Sequence, residues 1–110
     1  MIAPVLLLLA AVAGPPPYPE SLACAGYTHA ASQLSDITGD HDASAKAFDA
    51  AIFWGLATMD AARRDGLTAR AAEADQVRER DRVKPLLAAG DAAARAGLEA
   101  CVQRAPPLKG

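Results

Sequence analysis

"AAIFWGLATM" (residues 50–59) is an almost unbroken apolar stretch in the middle of the chain. It is too short to span a bilayer, which takes ~20 residues, and it predicts a core helix with neighbours on two sides. At about 100° per residue, Trp54 lies roughly 120° from the main apolar stripe, in a second groove of small residues. We therefore expect Ile52 and Trp54 to be core residues. The main stripe consists of Phe48, Ala51, Ile52, Gly55, Met59 and Ala62, and the groove around Trp54 of Ala47, Ala50 and Ala61.

Phe53 is the exception within this stretch, because four charged residues share its side of the helix. We expect this ring to lie at or near the surface, where single aromatic side chains are common. Phe53 and Trp54 are therefore the two candidate contacts with a partner, the first as an exposed aromatic and the second because its groove accepts a further helix. The charged residues beside Phe53 are Lys46, Asp49, Asp60 and Arg64.

Three further helices are expected around this one, which should run from about 42 to 64. The first begins at Leu22 and ends at Gly39, a residue suited to the left-handed position that follows a helix. Gly66 closes the second helix, and the Thr68 hydroxyl is placed to cap the third by accepting from a free backbone amide. The apolar stripe of the first helix consists of Ala23, Tyr27, Ala30, Leu34 and Ile37.

Pro85 sets the expected end of the third helix. Proline has no N–H and disfavours helical backbone at the residue before it, so we expect a helix over 69–83 and a break just ahead of Pro85. The last helix is then expected over 86–104, with Gly90 and Asp91 as a second candidate interruption. Its buried stripe consists of Leu87, Ala94, Leu98, Cys101 and Ala105.

No segment alternates between apolar and polar residues as a strand does, so the sequence predicts an all-α fold. The helical domain is expected over 22–105, as a small four-helix bundle-like domain, followed by a flexible tail at 106–110. The segment at 14–21 contains four prolines and is expected to be an extended leader.

The first thirteen residues carry no charged side chain and are mostly Leu, Val and Ala. Ala11 and Ala13 stand at the −3 and −1 positions before Gly14, the small-residue pattern that signal peptidase requires. We therefore expect residues 1–13 to be a cleaved signal peptide and the protein to be exported, either periplasmic or secreted. An apolar N-terminal helix that stays attached is the alternative.

Cys24 and Cys101 are the two cysteines of the chain and stand near opposite ends of the expected domain. In an oxidising compartment this pair predicts one disulfide. The two residues are 77 positions apart, and the chain-entropy model assigns a loop of that length about 4.5 kcal/mol. The alternative is that Cys24 is the acylated cysteine of a lipoprotein, which would leave Cys101 unpaired.

"SDITGDHDAS" (35–44) is the candidate metal loop, because Asp36, Asp40, His41 and Asp42 crowd into it. The spacing does not fit a calcium loop, which needs alternating oxygen ligands and a glutamate at the twelfth position. Gly39 suits the end of the first helix, and Asp40 or Asp42 suits the cap of the second. We therefore interpret the loop as a connection between helices and expect no metal.

The net charge does not favour nucleic acid as a partner, and the sequence contains no catalytic motif. A net charge of −2 gives no electrostatic reason to expect nucleic acid, and the run "RERDRVK" (78–84) mixes both signs, as a solvated helix face does. His29 is expected on a solvated side of the first helix. No Ser–His–Asp order, glycine-rich phosphate loop or Cys-x-x-Cys motif occurs, and no cofactor is expected.

The exported, two-cysteine, all-helical architecture resembles in outline that of periplasmic acid-stress chaperones, without a motif that matches residue by residue. We expect a protein that acts by binding another envelope protein, as a stress chaperone or an inhibitor-like accessory protein. The alternative is a periplasmic protein that binds a metal through Asp36, Asp40, His41 and Asp42, or a small ligand in a pocket beside Trp54. An enzyme is the third hypothesis. The oligomeric state is left open by the sequence.

Overall fold

The computed structural model describes residues 14–106, which form four α-helices. The predicted signal peptide and residues 107–110 lie outside the described residues. Within the described part there is no strand, so the all-α prediction is confirmed, and none of these helices is long and apolar enough to cross a membrane. The helices are α1 (Tyr18–Thr38), α2 (His41–Arg64), α3 (Ala69–Ala88) and α4 (Ala92–Arg104).

Helix α1 is the centre of the fold, because each of the other three helices packs against it. Its buried positions carry small side chains, which let the neighbouring helices approach closely. The predicted stripe of α1 is only partly correct, since Ala30 is buried whereas Ile37 is 76% exposed. The buried residues of α1 are Ser21, Cys24, Ala25, Gly26, Thr28, Ala30 and Ala31.

Helix α1 begins at Tyr18, four residues earlier than predicted, so the last part of the expected leader is helical. Pro19 is compatible with this start because it stands in the first turn, where a missing N–H leaves no helical bond unmade. The Tyr18 hydroxyl donates to Asp75 Oδ2 at 2.6 Å. Burial, reinforced by this hydrogen bond to the carboxylate, raises the pKa of Tyr18 to about 12.

The connections between the first three helices follow the predicted local chemistry. Gly39 adopts φ 79° after α1, and Asp40 Oδ1 accepts from the backbone N–H of Ala43 at 3.1 Å to cap α2. At the next connection, Thr68 Oγ1 accepts from Ala71 N–H at 3.1 Å to cap α3. These predictions are confirmed. They could be made from the sequence because each depends on residues within one turn of the connection.

The predicted break before Pro85 is wrong, because α3 continues through it to Ala88. A proline within a helix removes one backbone hydrogen bond, and contacts with the rest of the fold offset that loss here. Val83 is fully buried, and Lys84 Nζ donates to Gln33 Oε1 of α1 at 2.9 Å. The contacts of Val83 and Lys84, which directly precede Pro85, therefore hold this turn in place.

The chain breaks instead at Gly90, the second candidate, which adopts φ 76°. Asp91 then caps α4, with its Oδ2 accepting from the backbone N–H of Ala94 at 2.9 Å. The last helix is consequently shorter than predicted and begins at Ala92 rather than at residue 86.

The core lies where α1, α2 and α4 meet, around the disulfide. Cys24 and Cys101 are bonded with their Cα atoms 5.4 Å apart, so the predicted staple joins α1 to α4. Trp54 is 1% exposed, and its indole N–H donates to the carbonyl of Cys101 at 2.9 Å. The core cluster consists of Cys24, Ala25, Ala50, Trp54 and Cys101.

Of the two faces of α2 that were expected to have neighbours, only the face that carries Trp54 is closely packed, and Trp54 is a core residue as predicted. The groove of small residues around Trp54 is the buried face, whereas most of the predicted main stripe is not buried. Ile52 is only partly buried and Phe48 is 56% exposed, so the expectation that Ile52 is a core residue is wrong. Alanines let α2 lie close to α1, which leaves no interior space for the larger side chains. The buried residues of α2 are Ala47, Ala50, Ala51, Trp54, Thr58, Ala61 and Ala62.

Candidate functional site

The loop between α1 and α2 is used as a connection. Asp40 caps α2, and Asp36 Oδ1 accepts from the Ser44 hydroxyl at 2.5 Å, which ties the end of α1 to the start of α2. His41 and Asp42 are exposed in the first turn of α2. Among residues 14–106, no group of three or more histidine, cysteine or acidic side chains is arranged to hold a metal ion.

Trp54 is not available as a partner contact, because its side chain is enclosed in the core. Phe53 is partly buried, since its ring packs edge-on against Trp54 with the ring centroids 4.9 Å apart. Trp54 is the core residue that the sequence predicted, and Phe53 presents only part of its ring to solvent.

The apolar surface of α2 lies on its other side, along four residues spaced one turn apart. We call Phe48, Ile52, Leu56 and Met59 the outer stripe. Phe48 is 56% exposed and Leu56 is 67% exposed, while Ile52 and Met59 are partly buried. Leu56 was not singled out from the sequence, although its spacing of four residues from Ile52 places both on one face. The outer stripe is thus an apolar helix face without a neighbouring helix over it among residues 14–106.

A groove runs beside the outer stripe, between α2 and α3, with α1 as its floor; we call it the α2–α3 groove. It contains one hollow of 260 Å³ and one of 320 Å³, and Ile52 lines both of them. Phe48 lines the first hollow, and Leu56 and Met59 line the second. On the α3 side, Val77 is 45% exposed and extends the apolar surface.

Polar side chains line the floor and the α3 side of this groove, and several already have partners. His29, predicted to be solvated, is partly buried, because its Nε2–H donates to the carbonyl of Ala51 at 3.0 Å. Gln76 Nε2 donates to Met59 Sδ at 3.4 Å. Arg80 pairs with Asp81 at 2.9 Å. The contacts of His29 and Gln76 link α2 to α1 and to α3, whereas the Arg80–Asp81 pair lies within α3.

A second cavity, of 440 Å³, lies at the end of the bundle where α1 and α3 finish and α2 and α4 begin. We call it the end cleft. It shares no lining residue with the hollows of the α2–α3 groove. Its wall is mostly apolar, and Lys46, Arg95 and Glu99 stand among the lining residues. The end cleft was not predicted, because its residues come from four helices.

Comparison with known protein families, with curated proteins and with solved structures finds no match to this chain.

Proposed function

We propose that the protein is a small exported helical protein that acts by binding another protein in the cell envelope, as a stress chaperone or an inhibitor-like accessory protein does. The observation that carries this proposal is the outer stripe, whose Phe48 and Leu56 are 56% and 67% exposed. Monomeric soluble proteins rarely leave contiguous apolar side chains uncovered, and such patches mark interaction sites.

The shape of the surface favours a helix as the bound element. Two neighbouring hollows, both lined by Ile52, receive side chains from a helix better than a flat surface does, since helical recognition uses anchors at i, i+3, i+4 and i+7. Arg80 and Glu73 line the α3 side of the groove with opposite charges. The expected occupant is therefore an amphipathic helix of a partner protein, with an apolar face and both signs of charge at its edge.

Export is part of the same proposal and rests on two observations. The disulfide between Cys24 and Cys101 belongs with an oxidising compartment, because cytosolic thiols are kept reduced. The first thirteen residues have the composition of a signal peptide. Both features favour a periplasmic or secreted location, where the partner would also lie.

The test is affinity capture from an envelope extract with the secreted, unreduced protein, followed by calorimetry with the purified partner. Leu56→Asp places a charge in the outer stripe and should weaken binding at least about tenfold, because burying an unpaired carboxylate is costly. Leu86→Asp is the matched control. Leu86 is 40% exposed and stands nine residues after Val77, about 180° around α3. This control should bind like the wild type.

Circular dichroism melts of both variants ensure that the comparison concerns binding and not folding. Equal binding by Leu56→Asp and by the wild type would refute the proposal. Sedimentation velocity tests whether the outer stripe binds a second copy of this chain instead. If the purified protein forms a dimer that Leu56→Asp dissociates, the outer stripe is an interface between copies of this chain, and the proposed partner protein is wrong.

A further inference from the structure

The end cleft is a built concavity with an apolar wall. Leu34 of α1, Leu87 of α3, and Leu98 and Val102 of α4 contribute the large side chains that line it. Its volume of 440 Å³ lies within the range of about 300–1,000 Å³ that is usual for small-molecule sites. Such sites combine an apolar lining with a few polar groups that orient the ligand. Apolar contact here would therefore supply most of the affinity.

The charged side chains of the end cleft make its local charge positive. Lys46 enters from α2 and Arg95 from α4, so two cations reach the cleft from different helices. The ion pairs found within residues 14–106 include neither of them. Glu99 is the opposing group, and Gln103 donates to its carboxylate at 3.4 Å. The cleft is thus locally positive in a chain whose net charge is −2.

From this combination we infer that the end cleft binds a single-chain amphiphile with a carboxylate head, its hydrocarbon chain on the leucine wall and its head between Lys46 and Arg95. An apolar wall alone would accept any hydrocarbon, but two cations without ion-pair partners favour an anionic head. An extended peptide segment would need partners for its backbone N–H and C=O groups, which the leucine and valine side chains of this wall do not provide. A hydrocarbon chain has no such requirement.

The test is titration calorimetry with hexanoate, octanoate and decanoate, kept below their micelle-forming concentrations, on the secreted, unreduced protein. Affinity should rise about threefold to fourfold for each buried methylene. Nonyltrimethylammonium, which has the same alkyl chain as decanoate and a cationic head, should bind at least about tenfold more weakly. Equal affinity for the two head groups, or the absence of saturable binding by decanoate, would overturn the inference.

Charge variants locate the site. Lys46→Gln combined with Arg95→Gln should weaken decanoate binding about threefold to tenfold, because each exposed ion pair contributes modestly. Arg70→Gln, an exposed position at the start of α3 and thus at the opposite end of the bundle, is the matched control and should bind like the wild type. Glu99→Gln should bind decanoate more tightly. Unchanged affinity in the double variant would refute the assignment.

A further variant separates this site from the proposed protein interface. Leu56→Asp should leave decanoate binding unchanged, since Leu56 lines the α2–α3 groove and not the end cleft. Loss of decanoate binding in Leu56→Asp would show that the amphiphile occupies the outer stripe and would overturn the inference. Intact decanoate binding together with unchanged partner capture in the Lys46→Gln, Arg95→Gln variant would show that this inference is wrong and would leave the proposed protein interface unaffected.

Discussion

Helix α2 presents two faces of opposite character. Its buried face carries alanines, Thr58 and a single large residue, Trp54, whereas its outer stripe carries four large apolar side chains. Close packing explains the buried face, because small side chains let α2 approach the central helix α1, and Trp54 fills the space beside the disulfide. Large apolar residues on the outer stripe contribute little to that packing. The difference separates residues that pack in the core from residues that are exposed or only partly buried.

Replacing Trp54 should have the largest effect on the buried face. Trp54→Ala removes a fully buried indole and the hydrogen bond to the carbonyl of Cys101, so we expect a loss of about 3–5 kcal/mol in the free energy of unfolding. Phe48→Ala on the outer stripe should change it by no more than about 0.5 kcal/mol. Urea unfolding followed by circular dichroism measures both. Trp54→Phe is a milder variant that keeps a buried ring if Trp54→Ala does not fold.

A large loss of stability in Phe48→Ala would contradict the distinction between the two faces of α2. It would mean that the outer stripe is covered in the free protein, for example by a second copy. Sedimentation of the same variant distinguishes such self-association from packing within one chain, because only the former depends on protein concentration.

The two faces of α2 also show how much of the fold could be predicted from the sequence. Periodicity identified the faces of α2 only in part, because Ala51 and Ala62 of the predicted main stripe are buried and Leu56 of the outer stripe was missed. It also does not say which face meets the neighbours. The larger side chains made the outer stripe look like the core, and only the approach of α1 reverses that choice. The helix ends were predictable where local chemistry decides them, as at Gly39, Asp40 and Thr68. The break at Pro85 was predicted wrongly because contacts far along the chain override the local preference.

The candidate sites divide in the same way. The disulfide was predictable, because two cysteines in a chain expected to enter an oxidising compartment leave one pairing. The end cleft was not, since Leu34, Leu87 and Leu98 come from three helices and their meeting depends on how those helices pack. Phe53 lies between the two faces, which explains why it was expected at the surface and is found partly buried against Trp54.

Removing the disulfide should lower the free energy of unfolding by about as much as Trp54→Ala does. Cys24→Ser combined with Cys101→Ser opens a loop of 77 residues, and loss of a native disulfide in a small domain costs about 2–5 kcal/mol. Trp54 is the single tryptophan and contacts this cluster, so its fluorescence should report the loosening. The wild type in reductant should behave like the double variant, and the double variant should not respond to reductant. Unchanged stability would show that α1 and α4 are held together without the bond.

Two glycines within helices supply the smallest and sharpest comparison. Gly26 stands on α1 where α3 approaches, and a Cβ there would lie 2.6 Å from Glu79 Cγ, 3.0 Å from its Cβ and 3.1 Å from its backbone carbon. Gly55 stands on α2 at the α2–α3 groove, where the nearest atom, His29 Nε2, is 3.4 Å away. Both glycines gain about 1 kcal/mol in helix propensity when replaced by alanine.

The substitutions should therefore differ in sign. Gly26→Ala must push α3 away from α1, because backbone and Cβ atoms cannot rotate aside, and overpacking of this kind costs about 1–3 kcal/mol. That cost exceeds the gain in propensity or cancels it, so Gly26→Ala should be neutral to destabilising by about 2 kcal/mol. Gly55→Ala meets an ordinary contact at the open groove and should stabilise the domain by up to about 1 kcal/mol. Chemical unfolding of the pair checks this. A stabilising Gly26→Ala would mean that α3 approaches α1 less closely than the distances to Glu79 indicate.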